Sequence, residues 1–199
     1  MQERYAVLGW GSLIWDLDNL APHVTGEWMM SSGPRLPMEF SRISPKRKMG
    51  LVVCLDAEVG TPCATHAIAS RRSSLDQAIT DLAARERAPR DMIGGLCLAS
   101  GAVQGQATIA DVVRDWCTRA GWQGAVWTDL RPNFAEHTGA GFALTEARAY
   151  LRTLSGENLA EAVRYIQNAP AATDTPLRRA LSEDPWWRQQ AERLDSDCV

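Results

Sequence analysis

An α+β fold is predicted from three features of the 199-residue sequence: short apolar runs punctuated by Gly, Pro and Ser before residue 71, helical periodicity from Ser74 onward, and one strand-like run between helices at Ala125–Trp127. The length suits one well-buried core. The expected organisation is a domain over residues 1–142 with a helical C-terminal extension, 143–199, packed on it.

The first expected strand, Arg4–Gly9, is a short apolar run that ends in Gly-Trp-Gly-Ser, where glycine lets the backbone turn sharply or approach a ligand. Further strands are predicted at Glu27–Met30, Leu36–Ile43, Leu51–Asp56 and Ala64–Ser70. Ser44-Pro45-Lys46-Arg47-Lys48 reads as a basic turn, more simply a solvated hairpin tip than an anion contact.

Ser74 and Gln77 form a capping-box pattern that opens a helix running to about Arg87. Its Leu75, Ile79 and Leu82 share one face, and a further step of four reaches Glu86. That carboxylate therefore continues the apolar stripe, while Asp81, Arg85 and Arg87 are assigned to a charged outer face. A second helix, about Ile109–Ala120, is expected to bury Ile109, Val112, Val113, Trp116 and Cys117. From Thr145 the pattern is helical, with Gly156 separating Tyr150, Leu151 and Leu154 from Leu159, Val163 and Ile166. Thr175-Pro176 supplies a cap and a first-turn proline for another helix, and Trp186-Trp187 anchors the last one.

Composition narrows the function classes. A formal net charge of −3 gives no electrostatic footprint for nucleic acid or an anionic membrane. The apolar run Ala6–Trp15 is too short to span a bilayer and lacks the flanks of a signal peptide, so the mature chain is expected to begin near Met1. Cys54, Cys63, Cys97, Cys117 and Cys198 are odd in number and never spaced C-x-x-C. Free thiols in a reducing cytoplasm fit that pattern better than zinc or disulfides. Neither a metal nor a cofactor is expected.

Several candidate groups have plain structural readings. Ser12 lacks the Gly-x-Ser-x-Gly elbow of a hydrolase nucleophile. Cys63 and His66, three residues apart on one strand, would point to opposite faces and form no dyad. His23 and His137 have no ligand partners at metal spacing. Trp127, Asp129, Asn133 and Phe134 follow a buried strand, where packing is the default reading. Arg42 is a candidate for a substrate carboxylate, against the simpler reading of a surface arginine.

Tyr5-Ala6-Val7-Leu8-Gly9-Trp10-Gly11-Ser12-Leu13-Ile14-Trp15 resembles the opening of γ-glutamylcyclotransferases, the ChaC-like and AIG2-like branch above all, in which a strand runs into Tyr-Gly-Ser-Leu. The runs Leu36–Ser44 and Leu51–Asp56, then a helix closing in Arg85-Glu86, follow in family order, so the resemblance covers roughly residues 4–90. The C-terminal half departs from it and suggests a divergent bacterial subgroup. The resemblance implies a mixed β-barrel with flanking helices, a carboxylate cradle at Gly9, Trp10, Gly11, Ser12 and Leu13, and Glu86 as the proton-moving group. It implies transferase or amine-lyase chemistry on a small γ-glutamyl compound, as in glutathione metabolism, with 5-oxoproline as product. Trp10 stands where the family has Tyr, which removes a hydroxyl and adds bulk with an N–H donor. A ligand-binding module on the same fold, and an enzyme acting on a different small amide, are the competing readings. The oligomeric state is not legible.

Overall fold

The computed structural model describes residues 4–196. Its strands are β1 (Tyr5–Gly9), β2 (Val24–Met29), β3 (Arg35–Ser44), β4 (Gly50–Leu55), β5 (Thr61–Ala64), β6 (His66–Ser70), β7 (Ile93–Cys97), β8 (Val103–Gln104) and β9 (Gly124–Thr128). The helices are α1 (Leu75–Glu86), α2 (Ala107–Ala120), α3 (Phe134–Thr138), α4 (Leu144–Thr153), α5 (Gly156–Asn168), α6 (Pro176–Glu183) and α7 (Pro185–Ser196). Strands and helices in this arrangement make the α+β class. The chain divides into two compact units that interleave in sequence: Met1–Leu36 with Ala64–Leu130, and Pro37–Cys63 with Arg131–Val199.

The first unit is built on a six-stranded sheet in the order β2-β6-β1-β9-β7-β8. β1 lies near its middle, antiparallel to β6 and parallel to β9, and every one of its residues is buried. Strands paired on both sides and covered on both faces need continuous apolar runs, which is what Tyr5–Gly9 and Gly124–Trp127 supply. One face carries α1: Val7, Ile68, Ile93 and Val126 pack with Ala78, Ile79, Leu82 and Ala83. The helix α2 packs against β7 and β9. Among the described residues no pairing joins β2 to β8, so this sheet is open rather than the closed barrel expected.

In the second unit β4, β3 and β5 form a three-stranded sheet in that order round the central β3. Helix α5 packs on β4 and on α7, while α6 packs on α4 and α7. Phe40 and Tyr165 meet edge to face at 6.4 Å. A buried carboxylate organises the start of α6: Glu39 accepts the Phe40 amide at 2.8 Å and the Leu177 amide at 3.1 Å. Burial raises its pKa against the lowering effect of those bonds and of the Thr175 hydroxyl.

Several sequence expectations change. Val112 is 41% exposed, because position 112 turns out of the stripe shared by Ile109, Val113 and Trp116. The run Ala64–Ser70 is cut before His66, where β5 of one sheet gives way to β6 of the other. The basic turn is not a bare solvated tip: Arg47 pairs with Glu161 at 3.1 Å and Lys48 with Glu157, both on α5. Cys198 lies outside the described residues. Among those residues Cys54, Cys63, Cys97 and Cys117 form no disulfide, and no helix is long and apolar enough to cross a membrane.

Candidate functional site

The turn after β1 is shaped by two glycines. A Cβ on Gly9 would stand 2.4 Å from Cη2 of Trp28 and 3.1 Å from Cδ1 of Ile14, so only glycine permits that close approach. Gly11 adopts φ 53°, the left-handed region, and starts a 3-10 turn over Gly11–Ile14. Between them Trp10 is extended and buried. The turn closes when the amides of Trp15 and Asp16 donate to the Ser12 carbonyl, the latter at 3.0 Å. Leu13 then joins the core under α1, which fixes the turn to the helix. Amides at the opening of such a turn have no partner within the turn itself.

Glu86 is the last residue of α1, which ends as Arg87 takes a left-handed conformation and donates its amide to the Ala83 and Ala84 carbonyls. The Glu86 side chain is 14% exposed and that of Arg85 is 7% exposed. Arg85 does not sit on the outer charged face. It follows Leu82 by three and Ala78 by seven, so it extends the buried stripe, and its charge is met inside. Nη1 donates to Glu86 Oε1 at 3.0 Å, while Nε and Nη2 donate to the Asp16 carbonyl at 3.2 and 2.5 Å. Nη2 also makes a long contact, 3.5 Å, with Ser12 Oγ. The guanidinium thus ties the turn after β1 to the carboxylate that ends α1 with charge-assisted bonds. Arg87, by contrast, reaches outward to Asp18 at 3.3 Å.

The structure brings together Gly9, Trp10, Gly11, Ser12, Leu13 and, through Arg85, Glu86. Arg42 belongs to the second unit, where its Nη1 donates to the Arg131 carbonyl at 2.5 Å. The expected polar and aromatic cluster is divided: Trp127 donates to Asp129 at 3.4 Å in the first unit, whereas Asn133 exchanges bonds with the Ile43 backbone in the second. Cys63 and His66 lie on strands of different sheets. Sequence reasoning missed Arg85, although its spacing from Ala78 and Leu82 was a usable signal.

A cavity of about 400 Å³ lies at the opposite end of α1, lined by Tyr5, Ser73, Ser74, Leu75, Cys97 and Ser100 among others. At 1.5 Å per residue, Leu75 and Glu86 are roughly 16 Å apart along the helix, so this cavity is distinct from the Arg85 cluster. Tyr5 donates to Cys97 Sγ at 3.3 Å. Burial pushes the Cys97 thiol up, but hydrogen bonds from Ser100 and Tyr5 and from the Ser100 and Ala99 backbone outweigh it and leave the thiol below its ordinary value. Burial drives Cys117, and chiefly burial drives Cys54, up to about 12.

Comparison with protein-family models, with curated proteins and with solved structures found no match to this chain.

Proposed function

We propose that the protein is a γ-glutamylcyclotransferase-like enzyme that releases 5-oxoproline from a small γ-glutamyl compound, on a fold related to that family's mixed barrel. The observation that carries the reading is the Arg85 bridge, because it draws the Gly11-Ser12-Leu13 turn and the Glu86 carboxylate into one cluster. These are the two parts that the resemblance requires to meet.

The chemistry needs little else. The substrate's α-amine attacks its own γ-carbonyl carbon, the new C–N bond closes a five-membered lactam, and the old C–N bond breaks to expel the amine. The proton leaving the attacking nitrogen passes to Glu86 and then to the departing nitrogen, so the step balances without an outside nucleophile. Turn amides at Gly11, Ser12 and Leu13 hold the α-carboxylate. Fixing both ends converts a floppy chain into an oriented one, which supplies several kcal/mol of the barrier reduction. A reducing compartment, the cytoplasm, is proposed from the odd number and scattered spacing of the five cysteines.

Incubation with γ-glutamyl amino acids and with glutathione, followed by product identification, tests the reading. Formation of 5-oxoproline supports it. Glutamate as the sole product marks an amide hydrolase instead, and a ligand recovered unchanged marks a binding module. Binding without turnover has one observation in its favour, the hydroxyl-lined cavity at Tyr5, Ser73, Ser74 and Ser100, which holds no carboxylate.

A further inference from the structure

Tyr5, Gly124 and Cys97 form one row across three neighbouring strands, since Gly124 of β9 pairs with Tyr5 of β1 on one side and with Cys97 of β7 on the other. Residues level with one another in a sheet project to the same face. That face is the one α1 covers: Val7, two residues on from Tyr5, packs with the helix, and a Cβ on Gly95, two residues before Cys97, would stand 3.1 Å from Cδ1 of Leu75 and of Ile79. The helix begins at Leu75, which leaves the row of Tyr5 and Cys97 beyond its end. The cavity of about 400 Å³ opens there, between the start of α1 and the turn that joins β7 to β8.

The missing side chain at Gly124 shapes the floor of this cavity. A Cβ there would meet Tyr5 Cε1 at 2.8 Å, so the tyrosine ring lies over the glycine and its hydroxyl reaches across to donate to Cys97 Sγ at 3.3 Å. Burial acts against ionisation of the thiol, yet hydrogen bonds from the Ser100 and Tyr5 side chains and from the Ser100 and Ala99 backbone prevail, which favours the nucleophilic thiolate. Among the described residues Cys97 is the one cysteine that lines the cavity, so a sulfur to pair with it comes from outside the chain. The volume falls in the range of small-molecule sites and far exceeds what a single oxygen atom needs.

We infer that Cys97 is a modification site that forms a mixed disulfide with a low-molecular-weight thiol, whose body occupies the cavity between the start of α1 and the β7–β8 turn. The donor is a small-molecule disulfide. The Cys97 thiolate attacks one of its sulfurs, a new S–S bond forms as the old one breaks, and the departing thiolate takes up the proton that Cys97 gave up. Cys97 is oxidised to the mixed disulfide and the released half of the donor is reduced to a thiol, so the exchange needs no further oxidant. The hydroxyls of Ser73 and Ser74 line the same cavity and suit the amide and carboxylate groups of such a thiol. The inference does not depend on the cyclotransferase reading, whose Arg85 and Glu86 lie at the other end of α1.

The test incubates the full chain, reduced and then freed of reductant, with oxidised glutathione at pH 7, and locates and times each adduct by peptide mass analysis. The urea-unfolded chain, treated alike, gives the rate of the same cysteine without the fold. Thiolation of Cys97 is expected to be faster in the folded chain than in urea and to be reversed by dithiothreitol. Tyr5→Phe should slow it about threefold, because a lower thiolate fraction is partly offset by a more nucleophilic sulfur. Ala102→Trp, which fills the cavity from its exposed rim, should block the glutathione adduct while Cys97 still reacts with the much smaller methyl methanethiosulfonate. Adducts confined to the other cysteines, a Cys97 rate no faster in the folded chain than in urea, or equal glutathione rates in wild type and Ala102→Trp would each overturn the inference.

Discussion

Replacing Arg85 by Met should dismantle the link between the β1 turn and the end of α1. The thioether retains much of the aliphatic stem's packing but loses the ion pair to Glu86 and both bonds to the Asp16 carbonyl. Removing one partner of a buried pair typically costs about 3–5 kcal/mol. The lower end applies, since the Glu86 side chain is 14% exposed and can regain water, and since the 3.5 Å contact to Ser12 contributes little. We expect a loss of about 3 kcal/mol for Arg85→Met, and about 1–2 kcal/mol for Arg85→Lys, which keeps the charge without the planar fork. Urea unfolding at pH 7 measures both, with an unchanged m-value showing that only stability moved. The amides of Gly11, Ser12 and Leu13 should shift in the same variants. A loss under about 1 kcal/mol in Arg85→Met, with those amides unmoved, would refute the bridge.

Gly9→Ala places a methyl 2.4 Å from Trp28 Cη2 and should cost about 1–3 kcal/mol by the same unfolding measurement; replacing the indole by a smaller side chain in Gly9→Ala/Trp28→Leu should recover part of it. In the second unit, burial alone would raise the pKa of Asp184, but Arg152 and Arg148 outweigh it and hold it to about 2, with the side chain 1% exposed. The folded value lies below the unfolded value of about 3.9, so the stabilisation is full above about pH 4 and is lost as pH falls toward 2; after screening of the partly exposed arginines it amounts to about 1–2 kcal/mol, and Asp184→Asn should flatten stability over that window. Iodoacetamide followed by peptide mass analysis should label Cys97 before Cys54 and Cys117, and Tyr5→Phe should slow that labelling.

What the sequence made legible was whatever local chemistry dictates. The helix from Ser74 to Arg87 appears with its cap in place, the Ser74 hydroxyl accepting the Gln77 amide at 3.3 Å. Thr175 caps α6 over Pro176 in the same way, and β1 with its two turn-forming glycines lies where the apolar run put it. Tertiary context decided the rest. The segment Ile93–Cys97 has two glycines in five residues and gives no clear strand signal of its own, yet it forms β7 because β9 on one side and β8 on the other complete its hydrogen bonds. Arg85 looked like a surface charge until the Asp16 carbonyl, distant in sequence, came to meet it. The buried ring of His66, whose Nδ1 accepts the Ser31 amide, depends on the register of β1 against β6 and on the turn at Ser31, neither of which spacing reveals. Asp184, placed just before Pro185, gathers two arginines from α4 that only the packed unit supplies.

The central claim is that Glu86 moves the proton while the β1 turn holds the ligand, and Glu86→Gln separates those roles. Release of 5-oxoproline from γ-glutamyl-alanine and calorimetric binding of 5-oxoproline should be measured together on wild-type and variant protein. The account predicts a fall in kcat of about 10²-fold or more with binding largely retained. Equal turnover by both proteins, or no release of 5-oxoproline by the wild type, contradicts it.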